Sequence, residues 1–138
     1  MINCDSTGTQ DMAVDMLRAE LRKTTLQIPV KGYSFSVYKD QMYKNLAMMM
    51  LDKKDEEGKI IQKAKIKFPV AFGVEKEKFI KQFTDLQKEI KNNKWNCHHP
   101  EGATYHDDYP DSLALACMTF NLGEMPIMEY PMSFGNLM

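Results

Sequence analysis

Long apolar runs are the first thing this sequence lacks. No stretch of about 20 apolar residues occurs in the 138, so no segment has the makings of a membrane-crossing helix. Cysteine is scarce and odd in number. Cys4, Cys97 and Cys117 make no disulfide framework and fit reduced thiols in a cytosol-like compartment. The opening MINCDSTGTQ has no basic segment leading into an apolar one, so it does not read as a signal peptide. There is no G-x-x-x-x-G-K-[ST] to cradle ATP phosphates and no G-x-S-x-G to expose a nucleophilic serine. Internal repeats and low-complexity tracts are also missing. What remains is 43% hydrophobic, 27% charged and 10% aromatic, the balance of a chain that can bury a core.

The net charge of −1 conceals a strong partition. Residues 53–94 hold twelve lysines against seven acids, and residues 95–138 hold six acids with no lysine or arginine. A basic stretch beside an acidic one suits a protein that meets nucleic acid and divalent cations. A solvated surface followed by an acidic tail would show the same partition.

Strand and helix signals alternate along the chain. Ile2–Asp5 reads as the end of a buried strand, with Ser6-Thr7-Gly8-Thr9 as the turn leaving it. Ala13, Val14, Leu17 and Leu21 recur at helical spacing. A short strand is expected over Val30–Phe35, then a helix over Val37–Leu51 capped by Ser36, with a stripe of Tyr38, Met42, Leu46, Met49 and Met50. Asp52–Gly58 reads as a charged loop. Ile60–Phe68 alternates Lys63, Lys65 and Lys67 against Ala64, Ile66 and Phe68, predicting a half-buried strand with a lysine face that Pro69 ends. A third helix begins near Glu75 and carries Phe79, Ile80, Phe83 and Leu86. It either runs to Lys91 or stops near Leu86 and gives way to a hairpin turning at Asn92-Asn93, and the alternation of Trp95 and Cys97 favours the hairpin. The last helix is expected from about Tyr109-Pro110 to Phe120, with Leu113, Ala116, Cys117 and Phe120 facing the core. Residues 1–120 thus read as one α/β domain with a small sheet, and 121–138 as a tail.

Chemistry-bearing residues crowd into His106-Asp107-Asp108-Tyr109-Pro110-Asp111. A helix starting at that proline uses acids in its first turn to satisfy free N–H groups and the dipole, so these residues have a structural task whatever else they do. Asp108 and Asp111, three apart, also suit a hard cation such as Mg²⁺ or Mn²⁺. Asp5 ends its strand either as an Asx-turn residue or as a paired or coordinated carboxylate. Cys97, His98, His99 and His106 make a poor zinc set, because there is no C-x₂-C pair and neighbouring side chains do not converge. His106, beside the acids, could orient a water or a phosphate near neutral pH. Lys63, Lys65, Lys67 and Lys94 could meet a phosphate backbone or simply face solvent.

Three blocks, in order, resemble the C-terminal nuclease domain of the large terminase subunit, the DNA-packaging protein of tailed bacteriophages. They are Ile2-Asn3-Cys4-Asp5-Ser6-Thr7-Gly8; Tyr33-Ser34-Phe35-Ser36 with Tyr43-Lys44-Asn45-Leu46-Ala47 and Ile66-Lys67-Phe68-Pro69; and His98-His99-Pro100-Glu101-Gly102 leading to His106–Ala116. The last block is the most specific, and together they span about residues 1–118. The resemblance implies a ribonuclease H-like fold, here the later strands and helices with a β-hairpin before the last helix. It implies a two-metal endonuclease using Mg²⁺ or Mn²⁺ that cuts concatemeric double-stranded DNA during genome packaging.

By position, Asp5 matches the second strand-borne acid, and Asp107, Asp108 and Asp111 fall in the helix block, with Asp108 the first choice of ligand. The hairpin gives Lys94 a DNA-facing role. In that family a meander carrying another acid precedes the strand of Asp5, and an ATPase domain precedes the nuclease. The chain is therefore expected to be an N-terminally incomplete piece, with that missing part, the portal and the small terminase as partners, in the cytoplasm of an infected or prophage-carrying host. The alternatives are another ribonuclease H-like fragment, of resolvase or transposase type, and a non-catalytic structural or interaction module.

Overall fold

The computed structural model describes residues 1–68, 73–102 and 106–119. The expected tail of residues 121–138, Phe120 and Pro69 lie outside the described residues. The architecture is mixed α/β, with four helices and three two-stranded sheets among the described residues. No helix among them is long and apolar enough to cross a membrane.

Strand β1 (Ile2–Asp5) pairs in parallel with β2 (Val30–Tyr33), joined by helix α1 (Gln10–Arg22), as a parallel pair requires a crossover. The turn out of β1 is built by side chains. Asp5 Oδ1 accepts from the Thr7 N–H at 2.9 Å and from the Thr7 hydroxyl at 2.6 Å. Gly8 then takes φ +62°, a backbone state that glycine adopts without steric penalty. Gly32 in β2 allows the sheet to close on this turn, since a Cβ there would lie 2.9 Å from Cβ of Ser6 and 3.5 Å from Cγ1 of Val14. Val14 is the buried residue of α1, while Met12 and Met16 face outward.

Helix α2 (Phe35–Met50) starts one residue after Ser34, which is its N-cap in place of the expected Ser36. Its buried face is Met42, Tyr43, Leu46, Ala47, Met49 and Met50, a wide apolar stripe at helical spacing. Tyr38, expected on that stripe, is substantially exposed and packs edge-on against Tyr33. The core forms around α2 and joins it to Tyr33, Phe83, Leu86, Cys97, Ala114, Leu115 and Cys117.

The charged segment after α2 is a small hairpin, β3 (Lys53–Lys54) against β4 (Ile60–Gln62). Asp55 Oδ1 accepts from the N–H groups of Glu57 and Lys59 to hold its loop. The strand expected over Ile60–Phe68 stops at Gln62, because its partner β3 is only two residues long. Beyond it the backbone finds other acceptors: the Ala64 N–H reaches Asp52 Oδ1 at 2.7 Å, and the N–H groups of Lys65 and Ile66 share the Met49 carbonyl. The alternation survives without the ladder, for Lys63, Lys65 and Lys67 are exposed and Ala64 and Ile66 half-buried.

A 3₁₀ turn (Gly73–Glu75) leads into helix α3 (Lys76–Thr84), which ends before the hairpin β5 (Gln87–Lys91) and β6 (Lys94–His98). Asn92 and Asn93 turn it with φ of 50° and 60°, the left-handed pair that a two-residue hairpin loop needs. The hairpin docks on α2: the Trp95 N–H donates to Asp40 Oδ1 at 2.7 Å, and Cys97 is fully buried. Helix α4 (Asp108–Cys117) buries Pro110, Ala114, Leu115 and Cys117. Leu113 is only half-buried and Ala116 exposed, so the helix is rotated from the expected facing. The rotation turns Asp107, Asp111 and Met118 toward α2.

Candidate acidic site at the carboxyl end of the parallel strands

Three starting points meet at one end of the β1–β2 pair. Asp5 and Tyr33 are register partners at the strands' carboxyl ends, and the Ser6 N–H bonds the Tyr33 carbonyl. Thr7, which donates to Asp5, accepts at Oγ1 from the Phe35 N–H at 2.9 Å, fixing the start of α2 beside Asp5. One turn into α2, Lys39 reaches the start of α4, and a turn later Tyr43 does the same. Helix α4 then runs back along β1, where Asn3 Nδ2 donates to the Leu115 carbonyl at 2.9 Å and to Thr119 Oγ1 at 2.8 Å. From Asn3 to Asp5 is a rise of about 6.6 Å along a strand. From Leu115 back to Asp111 is about one 5.4 Å helical turn. Asp5 and the first turn of α4 therefore share an end of the domain. In open α/β sheets that end, outside the carboxyl termini of the strands, is where ligands bind.

The acids that meet there are Asp107 and Asp111. Lys39 Nζ lies 3.1 Å from Asp107 Oδ2 and 3.5 Å from Asp111 Oδ1. The Tyr43 hydroxyl donates to Asp111 Oδ1 at 2.6 Å. Lys39 Nζ also sits 5.8 Å from the ring centroids of both Phe35 and Tyr43, so two aromatic faces lie near its ammonium.

These contacts set the protonation behaviour. Burial pushes the Asp111 carboxyl above its ordinary value, although the Tyr43 bond and the Lys39 charge pull it back. Burial acts the same way on Asp107, but there the hydrogen bond and charge of Lys39 outweigh it, with its own backbone N–H and His99 adding to them, and the pKa falls. Tyr43 is held firmly protonated, first by burial and then by the neighbouring Asp111. Cys97, close to the same groups, is pushed up to about 12 by burial and stays a neutral thiol.

The remaining candidates lie apart from this contact. The Asp108 side chain is exposed and makes no hydrogen bond or ion pair with a described residue, while Asp111 is brought against Asp107 through Lys39. His106 is exposed. Asp5 holds its turn through Oδ1. Lys63, Lys65, Lys67 and Lys94 are exposed and form no ion pair with a described residue, and Lys94 stands at the tip of the β5–β6 hairpin opposite Lys91.

Lys39 and Gln82 are site residues that no motif announces, and Tyr43 belongs to the second block of the resemblance, which gives it no role. The spacing of Phe35, Lys39 and Tyr43 at i, i+4 and i+8 puts all three on one face of α2, which is the signal a reader could have used. Gln82 is fully buried on α3 and accepts at Oε1 from the Tyr109 N–H at 2.8 Å, a helix-start bond supplied from another element.

As folded, the acid pair does not fit a divalent cation. An ammonium already takes the position between the carboxylates, and no group of three or more His, Cys, Asp or Glu side chains converges among the described residues. No protein-family model, curated protein or solved structure matches this chain.

Proposed function

We propose that this chain is part of a ribonuclease H-like nuclease domain of the phage terminase large-subunit type, acting on double-stranded DNA in the cytoplasm of an infected or prophage-carrying bacterium. The observation that carries the reading is the gathering of Asp5, the start of α2 and the acids of α4 at the carboxyl end of a parallel strand pair. By the resemblance, Asp5, Asp107, Asp108 and Asp111 would be the carboxylates that hold Mg²⁺ or Mn²⁺, the hydrolytic metals of a two-metal nuclease, although as folded Lys39 occupies the Asp107–Asp111 pair. His106, next to Asp107 in sequence, would orient a water or phosphate. The exposed lysines Lys63, Lys65, Lys67 and Lys94 meet the phosphate backbone, and the ATPase part, portal and small terminase are the partners the resemblance implies.

A second reading has its own support. Asp5 is engaged in a turn, and Asp107 and Asp111 are neutralised by Lys39, which is what a non-catalytic module would need from the same acids.

One experiment separates them. A short labelled duplex is titrated by fluorescence anisotropy at several salt concentrations, and Mn²⁺ is then added to the complex while amide signals are followed by NMR. The nuclease reading expects salt-dependent binding, weakened when Lys63, Lys65 and Lys67 are all changed to glutamine, and broadening around Asp5 and the first turn of α4. Loss of the three lysines should lower the slope of log affinity against log salt by about 0.9 for each phosphate contact removed. No duplex binding at low salt, with no response to Mn²⁺, leaves the non-catalytic module. Strong preference for a branched over a linear duplex favours the resolvase-type alternative.

A further inference from the structure

We propose that a groove beside the amino end of β2 is the seat of this chain's own acidic carboxyl-terminal segment, residues 120–138, which fills it with the apolar side chains between Glu124 and Glu129. The proposal is independent of the DNA-acting reading and concerns the end of the strand pair opposite the acid cluster.

The groove has a volume of about 520 Å³ and lies between the last turns of α1 and the segment leading into β2. Leu21, Leu26, Ile28 and Pro29 give it an apolar wall, and Arg18 and Arg22, about one helical turn apart, stand beside them. Leu26 is 60% exposed, so the wall presents bare apolar surface. Arg18 is engaged, its Nη1 with Asp15 at 2.8 Å and its Nε with the Val30 carbonyl at 3.2 Å. Arg22 makes no hydrogen bond or ion pair with a described residue, and no acid lines the groove among the described residues. An occupant that is apolar and acidic complements this surface.

The path of the chain brings such an occupant to it. Helix α4 runs back along β1, and the described residues end at Thr119, whose Oγ1 accepts from Asn3 Nδ2 at 2.8 Å. Asn3 is one residue, about 3.3 Å of strand, from Ile2. The Ile2 N–H donates at 2.8 Å to the carbonyl of Pro29, in the groove wall. From Thr119 to Glu124 is five residues, a reach of up to about 18 Å, enough to pass around the amino end of the strand pair. Residues 120–138 hold two acids, Glu124 and Glu129, and no lysine, arginine or histidine. Between the acids stand Met125, Pro126, Ile127 and Met128, an apolar run whose methionines suit an irregular groove. A tethered segment meets its seat at a millimolar effective concentration, so a contact too weak to join two molecules is populated within one chain.

The test uses the full chain, labelled for methyl and amide NMR. Contacts are expected between the methyl groups of Met125, Ile127 and Met128 and those of Leu21, Leu26 and Ile28, unchanged on dilution. Arg22→Glu and Leu26→Asp should each abolish them. Combining Arg22→Glu with Glu124→Lys and Glu129→Lys should restore them. Absence of these contacts in the wild type overturns the proposal, as do contacts that Arg22→Glu leaves intact or that the charge reversal fails to restore. Contacts that fade on dilution, or that join differently labelled copies, also overturn it and assign the groove to a second copy. Arg22 and Leu26 are exposed, and wild-type amide shifts across β1 and β2 show that each variant is folded. Should Leu26→Asp fail that check, Arg22→Glu and its charge reversal decide alone.

Discussion

Replacing Tyr43 by phenylalanine removes a single oxygen from a fully buried side chain and leaves the ring in place. That oxygen donates to Asp111 Oδ1 at 2.6 Å, the shortest contact in the acid cluster. After the change Asp111 retains Lys39 at 3.5 Å, a longer and weaker partner. A hydrogen bond to a charged group is worth about 1.5–3 kcal/mol, so Tyr43→Phe should destabilise the fold by that amount at neutral pH. The pH dependence gives a sharper test. Asp111 titrates above its ordinary value of 3.8, chiefly through burial, so its contribution to stability is complete at low pH and is lost as pH rises through the folded value. The Tyr43 bond opposes that rise, and removing it pushes the folded value higher still. The stability gap between wild type and variant should therefore open as pH rises through the wild-type Asp111 value. It should narrow at low pH to the worth of a neutral bond, about 1 kcal/mol, once both carboxyls are protonated. Urea unfolding at a series of pH values measures the gap, and carboxyl NMR of Asp111 measures the shift. A gap that is flat from acid to neutral pH would refute this account of the cluster, as would an Asp111 value unchanged by the substitution.

Three further expectations concern the frame around the site. Asp40→Ala removes the acceptor of the Trp95 N–H, so it should cost about 1–3 kcal/mol for the stranded donor and speed amide exchange through Gln87–His98 before it affects β1 or β2. Asn93→Gly should stabilise the hairpin by up to about 1 kcal/mol, since Asn93 holds φ 60° and Asn-Gly is the preferred pair for such a turn; thermal unfolding checks it. Leu46→Ala, at a fully buried position in the centre of α2, should cost about 2–5 kcal/mol in chemical denaturation, with unchanged m-value if the remaining core stays intact.

Local chemistry was legible wherever a short segment determines its own shape. The paired asparagines fix the hairpin turn because few residues accept positive φ twice in succession, and the turn at Asp5–Gly8 is built by neighbours in sequence. The lysine face of residues 63–67 could be read from alternation, since alternate residues point to opposite sides of any extended chain. Whether that stretch is a strand depends on a partner, and β3 offers only two residues. A period of two predicts which side chains face water better than it predicts a ladder.

The same distinction governs the acids of α4. Spacing allowed Asp111 to share a face with Asp108 at i−3 or with Asp107 at i−4, and nothing in the helix itself chooses between them. The choice is made by α2, whose Lys39 and Tyr43 draw Asp107 and Asp111 inward, and by α3, whose buried Gln82 fixes a first-turn N–H of the helix at Tyr109. All three determinants lie 27 or more residues away in sequence. Sequence reading located the acidic block because its composition is local. It could not supply the counter-cation, because a lysine one turn into a distant helix carries no sign of the carboxylates that it will neutralise. The consequence for function follows directly. An acidic cluster read from sequence is a set of candidate ligands, and whether it accepts a cation depends on which positive charge the fold has already placed there.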